Sequence, residues 1–249
     1  MRLVAWNCCG GPVATKLCVL KALRADIAVV SESPELPQDE HTCWIGDNRR
    51  RGLAIIARPP WRVTPLDVAP VSMPKYVLPV LVSGPETFLL WGVWAHNFGR
   101  DRYVRGVHRA VDECRGVLRD RPSVLLGDFN SHSQWDHHHP KDLSHSALIG
   151  KLHDLNIVSA YHVKRDQAHG AERQPTFFEY RHRTRPYHID YVFVPAAWSA
   201  RLATVSVGRH SRWSAWSDHM PVSVDILPAL TRRSSAGRAR TAGGLVDRR

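Results

Sequence analysis

The chain reads as a mixed α/β protein, and three observations carry that reading. Short apolar, β-branched runs alternate with amphipathic stretches along the whole length. Pro and Gly punctuate the intervals between the runs. The 249 residues, 43% hydrophobic and 23% charged, match one globular unit large enough for a substantial core.

Taken in order, residues 2–6 predict a first strand, and Val13, Leu17, Leu20, Leu23 and Arg24 fall at helical spacing behind it. Residues 26–30 form a short run ending in Ile27-Ala28-Val29-Val30, the composition of a buried strand. Further strands are predicted over 52–57, 77–82 and 88–95. The stretch 103–119 places Val104, Val107, Val111, Cys114 and Leu118 on one face and predicts a single amphipathic helix. Residues 123–126 predict a strand, and Ser144 is placed to cap a helix whose apolar face is Leu148, Leu152 and Leu155. Strands over 189–194, 202–207 and 222–226 complete the pattern. Residues 1–228 read as one domain. Residues 229–249 are rich in Arg, Ser, Gly and Ala, carry few large apolar residues, and read as a basic, disordered tail.

The formal charge of +11 favours polyanionic partners such as nucleic acid or an acidic membrane surface. No apolar run reaches the roughly 18 residues that cross a membrane, so no integral membrane association is expected. The first residues have no room for a signal peptide, and five cysteines (Cys8, Cys9, Cys18, Cys43, Cys114) form neither pairs nor metal-finger spacing. A cytoplasmic protein with free thiols is the expectation.

The polar residues of interest recur at one kind of place, the end of an apolar run. Asn7 follows the first strand, Glu32 the second, His96 the run 89–95, and Asp128 and Asn130 the run 124–127. Asp190 lies inside an apolar strand, and Asp218-His219 precedes the last one. Residues at strand ends converge readily at one edge of a sheet, and a carboxylate within an apolar strand needs a partner.

The segment Leu126-Gly127-Asp128-Phe129-Asn130 resembles the GDFN signature of exonuclease-III-like and deoxyribonuclease-I-like enzymes of the endonuclease/exonuclease/phosphatase superfamily. Ser217-Asp218-His219-Met220-Pro221 resembles its terminal SDHxP motif, and His188-Ile189-Asp190-Tyr191-Val192 its penultimate strand. Trp6-Asn7 and Ser31-Glu32 resemble its two N-terminal motifs. The resemblance implies a four-layer α/β/β/α sandwich of two packed mixed sheets flanked by helices, with the active site at one end of the sheets.

Hydrolysis of a phosphoester needs an activated water, neutralised phosphoryl oxygens and a stabilised leaving group, and Mg²⁺ (with Mn²⁺ as a substitute) serves the last two. Glu32 is the first expected metal ligand, with Asn7 beside it and Asp218 completing the shell or serving a second ion. His219 is the expected general base, Asp190 the carboxylate that holds its other ring nitrogen, Asp128 the group that orients the water, and Asn130 a donor to the phosphate. By the resemblance, His96 contacts the scissile phosphate or protonates the leaving oxygen. Whether His219 is base or phosphate stabiliser is open at this stage. Cys9 stands where many relatives carry an acid or amide; a thiol is a poor Mg²⁺ ligand, and a buried structural role is expected.

Arg181, Arg183 and Arg185 lead into the Asp190 strand and are expected to grip flanking phosphates. Thr176, within Pro175-Thr176-Phe177, is a candidate hydrogen-bond donor behind the site. The tract Asp136-His137-His138-His139 attracts attention as a metal binder, but adjacent side chains diverge and an exposed loop is the plainer reading. Trp44, Trp135, Trp213 and Trp216 fall in loop-like contexts where a base could stack. The expected function is a Mg²⁺-dependent nuclease or phosphodiesterase. The alternatives are a phosphatase or phospholipid or inositol-phosphate hydrolase on the same fold, and, from another class, a non-catalytic nucleic-acid-binding protein.

Overall fold

The computed structural model describes residues 1–66, 73–97 and 99–229. In chain order the elements are β1 (Arg2–Asn7), α1 (Val13–Leu23), β2 (Ile27–Ser33), β3 (Thr42–Asn48), β4 (Arg51–Ala57), β5 (Arg62–Pro65), β6 (Val77–Ser83) and β7 (Phe88–Trp94). Then follow α2 (Val104–Glu113), α3 (Arg115–Asp120), β8 (Ser123–Asp128), α4 (His145–Asp154), β9 (Ile157–Ser159) and α5 (Ala160–Arg165). The last are β10 (Phe177–Phe178), β11 (Pro186–Tyr187), β12 (Asp190–Pro195), β13 (Leu202–Val207), α6 (His210–Trp213) and β14 (Val222–Ile226). The basic tail expected from the sequence lies, from residue 230 onward, outside the described residues. Among the described residues no helix is long and apolar enough to cross a membrane.

Two six-stranded mixed sheets run in the orders β13-β14-β1-β2-β4-β3 and β5-β6-β7-β8-β12-β9. The period of two in each strand sorts side chains to opposite faces. In β1, Leu3 and Ala5 enter the core between the sheets, with Ile27, Val29, Leu53, Ile55, Val80, Leu90, Leu126 and Val192. Val4 and Trp6 point the other way, against α1 and the Trp213 ring. On the far side of the second sheet, Trp91, Val93, Leu125 and Phe193 pack against Val104, Val107, Val111 and Leu118 of α2 and α3 and against Leu148 and Leu152 of α4. The layers are therefore helix, sheet, sheet, helix, as the resemblance implied.

The stretch expected to be one helix, 103–119, is two: Cys114 leaves helical geometry between α2 and α3, while all five predicted face residues remain buried. The break redirects the chain without exposing the stripe, because the hydrophobic contact fixes the face and leaves the axis free to bend. Ser144 caps α4 as expected, its hydroxyl accepting from the Ala147 amide at 3.2 Å.

Topology gathers the strand ends. β1 and β2 are parallel, so Asn7 and the end of β2 emerge side by side. β14 runs antiparallel to β1, which brings the segment before it, Ser217-Asp218-His219, to the same edge. In the second sheet β12 is antiparallel to β8, and Asp190 at its start stands directly opposite Asp128 at the end of β8.

Candidate active site

Asp128 and Asp190 are both fully buried, and a buried carboxylate is costly without partners. Asp128 is well supplied. Its Oδ2 accepts from Asn7 Nδ2 at 2.9 Å and Asn130 Nδ2 at 3.0 Å, and its Oδ1 from the Asn130 amide at 2.9 Å. Asp190 Oδ2 bonds His219 Nδ1 at 2.9 Å, while Asp190 Oδ1 is buried with no partner among the described residues. His219 Nε2 lies 4.0 Å from Asp128 Oδ2, so the imidazole sits between two carboxylates. Burial alone would disfavour the imidazolium, but Asp190 and then Asp128 outweigh it and raise the His219 pKa. Burial, opposed by His219 and reinforced by Asp190, raises the Asp128 carboxyl.

Backbone strain marks two of the site residues. Glu32 has φ +54° at a bulge where the β2–β4 register shifts between Ser31 and Ser33, and Asn130 has φ +44°. Such conformations cost of order 1–3 kcal/mol and persist where surrounding structure holds them. Here they turn the Glu32 and Asn130 side chains toward Asn7 and Asp128. Gly127 has a different reason to be glycine: its φ is +142°, and a Cβ there would stand 1.9 Å from the Val93 carbonyl oxygen. Phe129 is buried against Tyr191 and Phe193. Within the Gly-Asp-Phe-Asn segment, chemistry thus falls to Asp128 and Asn130 alone.

Supporting bonds come from residues beside the principal groups. Ser217 Oγ donates to the Asn7 carbonyl at 2.7 Å and accepts from the His219 amide at 2.9 Å, tying the ends of the first and last motifs together. Thr176 Oγ1 accepts from the amides of Ile189 and Asp190, both at 3.0 Å, so it supports the start of β12 as an acceptor. The Phe177 ring packs on His219 at 4.6 Å. Arg51, delivered by the β3–β4 hairpin, forms an ion pair with Glu32 Oε2 at 3.2 Å; the run Arg49-Arg50-Arg51 reads from sequence as a basic patch for flanking phosphates and does not announce this pairing.

The oxygen donors suit a hard divalent cation. Glu32 Oε2 is buried, lacks a hydrogen bond and carries a neighbouring guanidinium in place of other charge compensation. Asn7 Nδ2 donates to Glu32 Oε1 at 3.3 Å while its Oδ1 accepts from the Cys9 amide at 3.0 Å. In this arrangement Asn7 braces Glu32 against Asp128, and a direct bond to a metal needs the amide to turn over. Asp218 is half-buried beside Ser217, 3.4 Å from its hydroxyl. Glu32, Asn7 and Asp218 offer carboxylate and amide oxygens, the donor type that a hard divalent cation takes.

Other expected residues sort into near and far. His96 stacks edge-on to Trp94 and Tyr76, and burial, partly offset by Glu32, lowers its pKa. Cys9 is half-buried at the site's rim rather than buried, and its thiol is pushed up by burial and then by Asp218 and Glu32. Cys8 is the buried thiol, pushed up to about 12 by burial. Arg181 reaches the Cys9 thiol and so borders the site. Arg183 instead bonds His210 Nδ1 at 3.2 Å, and Arg185 pairs with Glu179 at 3.2 Å; neither is brought to the site. Trp135 packs at a tilt against Tyr187, ring centroids 4.7 Å apart, and, with Arg102, Arg105 and Tyr103, lines a cleft that opens onto Asn130. Trp213 is a core residue.

A buried His–Asp pair, a second carboxylate facing it and an oxygen-rich cation pocket at the end of a two-sheet sandwich define a metal-assisted phosphoester hydrolase. The sequence profile of the Endonuclease/Exonuclease/phosphatase family matches residues 4–219, and the chain belongs to that family. It is accordingly a metal-dependent hydrolase acting on phosphoester bonds. No curated protein sequence matches it. Among solved structures it resembles a 3′ phosphatase, NExo, from Neisseria bound to a product DNA hairpin: 21% identity, TM-score 0.65, covering 91% of this chain and 99% of that one. It also resembles an AP endonuclease from Leishmania major (13% identity, TM-score 0.67, 91% and 87% covered). A third is an AP endonuclease from Archaeoglobus fulgidus (18%, TM-score 0.61, 91% and 99%).

Proposed function

We propose that the protein is a Mg²⁺-dependent nuclease that hydrolyses phosphodiesters of DNA. One observation carries this reading: six polar residues from five separate strand ends meet at one place, Asn7, Glu32, Asp128 and Asn130 in one hydrogen-bonded group and Asp190 and His219 in another, with 4.0 Å between Asp128 Oδ2 and His219 Nε2. A structural role for strand-end polar residues would not join them across both sheets.

In this reading Glu32, with Asn7 and Asp218, holds the cation, which supplies charge neutralisation at the phosphoryl oxygens. His219 Nε2 and Asp128 Oδ2 are close enough for one water to bond both. Asp128 takes the proton from that water as the water oxygen bonds phosphorus and the bond to the leaving oxygen breaks, while the imidazolium of His219 stabilises the developing charge and His96 is placed to protonate the leaving oxygen. Asp190 fixes the ring and its tautomer through Nδ1. His96 and Asn130 serve the phosphate side.

Nucleic acid is favoured as substrate by the cleft beside Asn130, where Arg102, Arg105, Tyr103 and Trp135 offer cations and aromatic faces together. DNA-acting relatives of the same fold point the same way. The decisive experiment is Mg²⁺-dependent cleavage of labelled duplex DNA, offered intact, with an abasic site and with a 3′-phosphate, by wild type, Glu32→Ala and His219→Ala. Cleavage abolished by EDTA and by both substitutions supports the reading. Activity confined to the 3′-phosphate makes the protein a phosphatase on the same site. Cleavage that survives both substitutions overturns the assignment.

A further inference from the structure

Behind β12, on the side away from the catalytic carboxylates, five histidines and a glutamate share one buried pocket that the hydrolytic site does not use. His132, His145, His162 and His188 are each at least 92% buried. The Glu172 side chain is 2% exposed. His162 and His169 stack with ring centroids 3.5 Å apart. One donor atom from each of His162, His169 and Glu172 lies within 4.8 Å of the others, and His145 Nε2 is 3.2 Å from His169 Nδ1.

The hydrogen bonds sort these groups by role. Gln134 N–H donates to His132 Nδ1 at 3.1 Å, which leaves the proton of the neutral ring on Nε2, aimed at Glu172 Oε2 at 3.0 Å. His132 is thereby a donor that orients the carboxylate. His162 Nδ1 is held by Ser159 Oγ at 2.7 Å, leaving Nε2 facing Glu172 Oε1 at 2.9 Å. His145 Nδ1 is held by Ser131 Oγ at 3.1 Å, leaving Nε2 facing His169. Each of these imidazoles has one nitrogen fixed by a second group and the other turned inward, the arrangement found around metal-bound histidine.

Neighbouring ligands of a tetrahedral Zn²⁺ at about 2.0–2.1 Å are roughly 3.3–3.4 Å apart; the 2.9 Å between His162 Nε2 and Glu172 Oε1 approaches this, and the His169 ring, now stacked on His162, has to turn to bring its donor atom in. A second, independent sign is His188, 98% buried: its Nδ1 bonds the Gln174 carbonyl at 2.7 Å, and its Nε2 has no partner among the described residues. An orphaned imidazole nitrogen beside this cluster is costly in a purely structural hydrogen-bond network.

We propose that His162 Nε2, a ring nitrogen of His169 and Glu172 Oε1 bind a structural Zn²⁺, distinct from the catalytic cation, with His145 supporting His169. Nitrogen-rich coordination selects this borderline-soft ion over Mg²⁺, which prefers oxygen. The site would fasten the loop carrying His169 and Glu172 to α4 and α5. That loop continues into Gln174, which bonds His188, and Thr176, which bonds the Asp190 amide, so the zinc steadies the strand that carries the catalytic Asp190.

The test is metal content of the full-length protein, purified without a metal-affinity tag, and again after stripping and reconstitution with Zn²⁺ alone. One equivalent of zinc is expected in wild type and in Glu32→Ala, with its loss in His169→Ala and Glu172→Gln. Reconstitution with Co²⁺ should give the visible absorption of tetrahedral cobalt, which an exposed adventitious ion would not. His169 is the partly exposed member, so its substitution preserves folding best; far-UV circular dichroism checks this. His137→Gln/His138→Gln, in the exposed tract, should keep the zinc. Absence of stoichiometric zinc after reconstitution overturns the proposal. So does zinc that follows the exposed tract instead of His169. Neither outcome depends on whether the protein cleaves DNA.

Discussion

The two polar pockets on either side of β12 solve the problem of buried charge in opposite ways. At the strand-end site a histidine is sandwiched between carboxylates, and the protonated ring is favoured. In the histidine pocket one carboxylate is shared among imidazoles, so most rings are held neutral; His169 is lowered to about 3 and His188 to about 4, chiefly by burial. The first pocket gains a proton on folding and the second sheds protons. Carboxylate count, rather than depth alone, decides which protonation state burial selects.

The largest expected effect breaks the comparison at its catalytic side. Glu32→Ala should lower Mg²⁺-dependent turnover by about 10³-fold or more, since the cation's charge stabilisation is worth several kcal/mol. Thermal unfolding should be little changed. Asp190→Asn should cost about 10²- to 10⁴-fold. Loss of that carboxylate also lowers the His219 pKa, so the titration visible in a pH profile of kcat/KM should move to lower pH.

Next comes stability against pH, measured by thermal unfolding in EDTA so that no cation contributes. A group with a raised folded pKa, such as His219, stabilises fully below its unfolded value near 6.5 and loses that contribution as pH rises through the folded value. Groups with depressed values, His145, His169 and His188, stabilise above about 6.5 and lose the contribution as pH falls toward their folded values. Stripped wild type should therefore lose stability between about pH 6.5 and 3 through the histidine pocket. Glu172→Gln, which weakens the bonds from His132 and His162, should cost about 2–3 kcal/mol at neutral pH, a fall in Tm of roughly 5–10 °C.

The smallest effects separate the arginines. Arg181→Ala should weaken duplex binding and reduce the salt dependence by about one unit of slope. Arg183→Ala, bonded to His210 away from the site, should leave both unchanged. Equal effects of the two would show that the Cys9 contact of Arg181 does not mark the substrate path.

Much of the fold was legible because the central strands are written as short unbroken apolar runs: Ile27 to Val30 and Val124 to Leu126 leave little choice. The strand Thr42–Asn48 escaped because its Gly, Asp and Asn break the alternation, and its pairing with β4 supplies what propensity does not. The candidate catalytic groups were legible for a topological reason, since they sit at strand ends inside short contiguous motifs. Arg51 was not, because only the hairpin carries it to Glu32. The histidine pocket was illegible for the opposite reason. Its members are single residues spread from 132 to 188, each ordinary alone, whereas the conspicuous His137-His138-His139 run lies in a short 3-10 turn that buries none of its residues.

Gly127 has a further consequence for moving or redesigning this site. Its missing side chain is what lets β8 approach the Val93 carbonyl, so the position is a spacer shared by two strands. Transplanting the Asp128–Asn130 pair onto another scaffold would fail unless the neighbouring strand's carbonyl came with it, and a saturation library should find Gly127 as intolerant as Asp128 although it touches no substrate. Intolerance to substitution, in this segment, would measure clearance as faithfully as it measures chemistry.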